Sequence, residues 1–138
     1  MDKLSKWSQI NLLLASIFLI VGFLSPILIE KFSYRGKMSE AKSVARNIAE
    51  NQGENYSLKN EYIPIKKREQ FSLTKKFNKI GKADLKYFDY TITTTRNSFT
   101  IVAEPKIKFL KTREVPPKIY RYTHVLNNQN DIEKWSSL

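Results

Sequence analysis

Eleven cations in two runs carry the clearest chemistry in this sequence. Lys66, Lys67, Arg68, Lys75, Lys76, Lys79 and Lys82 form a dense basic stretch with Phe71 and Phe77 interleaved. Lys106, Lys108, Lys111 and Arg113 form a second cluster. Ammonium and guanidinium groups neutralise phosphates, and exposed aromatic rings stack on bases. The formal charge is +11, and residues 63–123 alone hold fifteen Lys/Arg against five Asp/Glu. A region with that balance is drawn to nucleic acid, anionic lipid or acidic polysaccharide. The other reading of the same charge is solubility in a lysine-rich composition. No helix-turn-helix, RNA-recognition or zinc signature accompanies the clusters. Phe71 and Phe77 are expected to anchor their segment to a core.

Catalytic chemistry finds little to work with. His124 is the one histidine, and it stands in a strand-like run beside Tyr122. One imidazole forms no metal cluster, and no Ser/His/Asp grouping can be read. The four glycines build no phosphate-cradling loop. Cysteine is absent, which excludes disulfides and thiolate metal sites. Asp89, between Phe88 and Tyr90, is placed on an outer strand face, where a cross-strand Lys or Arg would pair with it. The expectation is a protein that is not an enzyme and takes no cofactor.

The element that must position these groups begins with residues 10–29, INLLLASIFLIVGFLSPILI, twenty residues without a charge. At about 1.5 Å per residue the run is about 30 Å long as a helix, the thickness of a bilayer's hydrocarbon core. Trp7 suits the membrane–water interface. The run is longer than a signal-peptide core and ends without a small-x-small cleavage pair, so a retained anchor is expected. Pro26 has no N–H for the carbonyl of Gly22, which predicts a kink or a loosened turn. In lipid, helices associate through close fit, and Ala15, Ser16, Gly22 and Pro26 are the candidate packing positions.

Beyond the span, Tyr34, Met38, Ala41, Ala45, Ile48 and Gln52 recur at helical spacing as one narrow stripe flanked by charges. Gly53 is the expected stop. The segment KKREQFSLTKKFNKIGK reads as a loop with one helical turn. Strand signals follow: residues 87–95 with Phe88, Tyr90 and Ile92 on one face, a polar turn at Arg96-Asn97-Ser98, then Phe99, Ile101 and Ala103 on one face up to Pro105. Ile107 and Phe109 mark an expected third strand, and KIYRYTHVL, after Pro116-Pro117, a fourth. The tail is expected to tuck one short turn onto the core through Ile132, Trp135 and Leu138. The fold class is therefore α+β: a long N-terminal helix, half transmembrane and half amphipathic, packed on a small antiparallel meander. The divisions are a flank at 1–9, the transmembrane helix at 10–29, its amphipathic continuation at 30–53, and a basic C-terminal domain at 54–138.

This arrangement resembles a type IV pilin. Ser39-Glu40-Ala41-Lys42, a little over three turns after Pro26, is similar to the Ser-Glu-Ala-Lys that pilins often carry there. Gln52 and Tyr56 resemble the Ala-Gln…Tyr pattern that closes the helix in many bacterial pilins. The two strand runs from Tyr87 to the Ala103-Glu104-Pro105 end resemble the first hairpin of the pilin sheet. The family's Gly-Phe-Thr-Leu-Ile-Glu processing motif is not present, and aligning Pro26 with the family's proline puts Gln9 near the usual glutamate. The resemblance implies a minor subunit or assembly factor of a type IV pilus or a type II secretion pseudopilus. Its partners would be membrane lipid, other pilin or pseudopilin subunits and the assembly platform. DNA or an acidic polysaccharide would suit the basic domain.

Orientation is read two ways. Lys3 and Lys6 precede the span, whereas Lys31, Arg35, Lys37, Lys42 and Arg46 follow it, and a bare count favours a cytoplasmic C-terminal domain. The resemblance implies the opposite: a single-pass inner or cell membrane protein with its domain outside the cytoplasm, and incorporation in a surface filament. The alternative function is a single-pass membrane protein outside the pilus system whose basic domain binds DNA or another polyanion.

Overall fold

The computed structural model describes residues 2–138, apart from the side chains of residues 2–4, 27 and 29–31. Helix α1 spans Asp2–Lys59 and is continuous through Pro26. The chain divides into two compact units, Met1–Ser33 and Tyr34–Leu138.

In the second unit the expected stripe becomes the buried face of residues 34–59. Ala41, Val44, Ala45, Ile48 and Gln52 are buried. The alanines share the core with the inward residues of the sheet, and Val44 widens a stripe that looked narrower in the sequence. Gly53 does not end the helix. It is exposed inside α1, and a β-carbon there would meet nothing within 4 Å. The stop is Asn60, which adopts φ 57° and returns its N–H to the Tyr56 carbonyl at 2.9 Å. Asparagine is the residue after glycine that tolerates this left-handed cap.

The sheet is a four-stranded antiparallel meander in the order β1-β2-β3-β4: Phe88–Thr94, Ser98–Pro105, Lys118–Val125 and Ile132–Ser137. As expected, Phe88, Tyr90 and Ile92 on β1 and Phe99, Ile101 and Ala103 on β2 face the core, with Tyr120 and Tyr122 from β3. Asn97 is exposed in the turn between β1 and β2. The free edge of β1 is closed by its own chain. Ile65 exchanges backbone hydrogen bonds of 3.1 and 2.8 Å with Ile92. The Gln70 amide imitates a strand, donating to Tyr90 O at 2.6 Å and accepting from Tyr90 N at 2.7 Å.

Two expected elements take another form. Residues around Ile107 and Phe109 are not a strand but helix α3, Ile107–Lys111. Pro105 ends the β2 ladder, and the Lys106 carbonyl accepts from the amides of Phe109 and Leu110, both at 3.1 Å. An apolar alternation over so few residues does not separate the two states. The tail forms β4 rather than a turn, entered through Asn127 at φ 69°. It has no buried position, and only Trp135 and Ser136 are half-buried, so no apolar alternation marked it.

The basic segment folds into a 3-10 turn, Lys67–Ser72, followed by helix α2, Leu73–Lys76, and a second 3-10 turn, Lys82–Leu85. Leu73, Phe77 and Ile80 are its buried anchors. Phe71 is not an anchor: it is 70% exposed, since helical spacing gives the core Leu73 and Phe77 instead.

Candidate functional site

Among the described residues one stretch of α1, Ser5–Pro26, is long and apolar enough to cross a membrane by length and composition, with a mean hydropathy of 1.9 and none of it buried. Two of its serine hydroxyls are satisfied locally. The Ser16 hydroxyl donates to Leu12 O at 2.9 Å and the Ser25 hydroxyl to Val21 O at 2.6 Å. Such back-bonding lets a helix carry serine in an apolar solvent. Ala15, Ser16, Gly22 and Pro26 are all exposed. Gly22 lies in a shallow groove with Phe18, Leu19 and Phe23, and a β-carbon on it would meet nothing within 4 Å.

The basic residues occupy several elements. Lys66, Lys67 and Arg68 open the first 3-10 turn, Lys75 and Lys76 close α2, Lys79 follows it, and Lys82 begins the second 3-10 turn. Lys106, Lys108, Lys111 and Arg113 surround α3. All are exposed except the partly buried Lys106. Two form ion pairs: Lys67 with Glu104 at 3.3 Å and Lys79 with Glu50 at 3.2 Å. Around α3 the cations meet aromatic faces. Tyr87 and Phe109 lie with ring centroids 4.9 Å apart. Lys37 and Lys86 stand 4.6 and 5.0 Å from the Tyr87 ring centre, and Lys108 stands 4.8 Å from that of Phe109. Cations over ring faces are held by the ring quadrupole.

The α3 turn is fastened to α1. The Tyr34 hydroxyl donates to the Arg113 carbonyl at 3.0 Å, and the Lys37 ammonium donates to the Glu114 carbonyl. Arg113 itself has φ 56°, and the Glu114 N–H reaches back to Phe109 O at 2.9 Å. That geometry closes a helix in the manner usually reserved for glycine.

A cleft of about 520 Å³ is lined by Arg46, Ala49, Glu50 and Gly53 from α1 and by Phe99, Tyr122, His124, Asp131 and Glu133. Here sequence reading saw a solitary histidine. Asp131 lies 2.6 Å from His124 Nδ1 and accepts the Tyr122 hydroxyl. Glu133 accepts the Tyr120 hydroxyl at 2.7 Å and meets Arg46 Nε at 3.4 Å. The Tyr120 hydrogen bond, with help from Arg46, holds the Glu133 carboxyl below the usual carboxylate range. Burial, followed by the bond to Asp131, pushes the Tyr122 phenol well up. Each carboxylate of the cleft has an internal partner, so the network clasps β4 to β3 and to α1. Partners seven and more residues apart in sequence carry no local motif, and it takes the β3–β4 register and the packing of α1 to bring them together.

Comparison with known protein families, with curated proteins and with solved structures returns no match.

Proposed function

We propose that the chain is a membrane-anchored, pilin-like structural protein: a minor subunit or assembly factor of a type IV pilus or a related secretion pseudopilus. One observation carries the reading. A single helical element supplies an apolar, unburied stretch of membrane length and also an alanine-rich face, Ala41, Ala45 and Ile48, that packs on an antiparallel meander. A protein so built holds its sheet domain at the membrane by one anchor, and in lipid that anchor associates with other helices where Gly22 and Ala15 permit close approach. The domain faces away from the cytoplasm in this reading, and the clasped cleft and capped β1 edge give it a rigid body for subunit contacts.

The test is made in cells that naturally produce the protein. Surface filaments are sheared off and blotted for it, and filaments are counted in a strain lacking the gene. The expected result is its presence in the sheared fraction, or a clear loss of filaments restored by complementation. Unchanged filaments together with its absence from them would overturn the assignment.

A further inference from the structure

We propose that the α3 turn, with Ile107, Lys108, Lys111 and Arg113, docks on anionic phospholipid headgroups of the membrane that holds the anchor. The proposal rests on the anchor reading and adds a surface to it. Three observations carry it.

The first is chain length. Tyr34 follows Ile29, the last residue of the charge-free run, by five residues, about 8 Å as helix and at most about 18 Å fully extended. Tyr34 and Lys37 are the residues that grip the Arg113 and Glu114 carbonyls. The turn is thereby tied to a point that connectivity keeps near the membrane boundary, whose headgroup layer is itself roughly 6 Å deep on each side.

The second is chemistry. Ile107 is 66% exposed, beside exposed Lys108, Lys111 and Arg113. Lys86 is exposed too, and Lys37 and Lys86 both stand over the Tyr87 ring of the Tyr87–Phe109 pair. An uncovered aliphatic side chain ringed by cations and bounded by aromatic rings matches the interface of an anionic bilayer: the chain enters the acyl boundary and the cations remain with the phosphates. Glu114 is the one acid among residues 106–118.

The third is the choice of residue at the turn. Arg113 adopts φ 56°, where glycine would relieve the backbone. Keeping arginine there places a cation at the end of the turn at a cost in local conformational energy.

The experiment uses the full-length chain in lipid nanodiscs, one set of phosphatidylcholine and one of phosphatidylcholine with phosphatidylglycerol. An environment-sensitive fluorophore is attached at Ile107→Cys, and in a control at Asn97→Cys, and quenched from water by uncharged acrylamide. Quenching at position 107 should fall sharply in the anionic discs and remain high in the neutral ones, while position 97 stays open in both. Arg113→Gly should keep or raise thermal stability, yet lower the docked-to-free ratio about fivefold, the worth of one basic group at an anionic surface. Lys108→Glu with Lys111→Glu should remove the protection. Equal quenching in the two disc types, or protection untouched by these substitutions, would overturn the proposal. So would equal protection by free DNA or an acidic polysaccharide added to neutral discs, because the ligand would then be any polyanion. Failure of the protein to co-elute with discs would instead defeat the anchor itself.

Discussion

Two buried polar side chains show how the same chemistry has opposite value according to its partners. Gln52 is fully buried, yet its amide donates to Ile63 O and accepts from Ile63 N, both at 2.7 Å. The Tyr90 hydroxyl is buried with no partner among the described residues, and burial drives its pKa far up. Gln52→Leu should destabilise the fold by about 3 kcal/mol, since two backbone groups lose their partners. Tyr90→Phe should be neutral or stabilising by about 1 kcal/mol. Chemical denaturation of the detergent-solubilised protein measures both. Two glutamates should respond to pH with opposite sign. Glu133 has its pKa lowered in the fold, chiefly by the Tyr120 bond, so its contribution is present above the unfolded carboxylate pKa and is lost as pH falls through the folded value. Burial, then Asp84, raises Glu40, with Lys86 and Lys37 opposing. The folded state therefore binds that proton more tightly, and ionising Glu40 costs stability as pH rises. Comparing melting temperatures from about pH 2.5 to about pH 7, which brackets the ordinary carboxylate values, Glu133→Gln should lose most at neutral pH. Glu40→Gln should gain there, and both differences should shrink in acid.

At the scale of elements, the sequence shows what periodicity can and cannot carry. The stripe through Ala41, Ala45, Ile48 and Gln52 was legible because about three turns of helix repeat it, and β1 and β2 because strict alternation leaves one reading. Helix α3 and strand β4 were not. Five residues at α3 satisfy either period, and β4 has no buried position, its exposed Glu133 being held by the distant Tyr120 and Arg46. Gly53 misled for a related reason. A glycine is a stop only where the chain needs a positive φ, and here Asn60 supplies that conformation seven residues later. Gly53→Ala, with open space for the new methyl, should stabilise the protein by about 0.5–1 kcal/mol, read from the same denaturation curves.

For the whole molecule, the α+β architecture and a single apolar N-terminal stretch were both readable before the fold was known, because hydropathy and period are summed over many residues. The surroundings of the candidate sites were not. The clasp of Asp131 and Glu133 and the fastening of α3 by Tyr34 and Lys37 join residues far apart in the chain, and such partnerships exist only once the sheet has its register. The same limit applies to orientation, where the lysine count and the pilin resemblance pull in opposite directions. That question is open to direct measurement, since Asn97 is exposed in the β1–β2 turn and the chain has no cysteine of its own. An Asn97→Cys variant in intact cells is treated with a membrane-impermeant thiol reagent, before and after selective opening of any outer membrane. Labelling without breaching the cytoplasmic membrane is the result expected of an anchored, outward-facing subunit. Labelling only after full lysis, with the protein expressed and its thiol reactive, would place the domain in the cytoplasm and contradict the account.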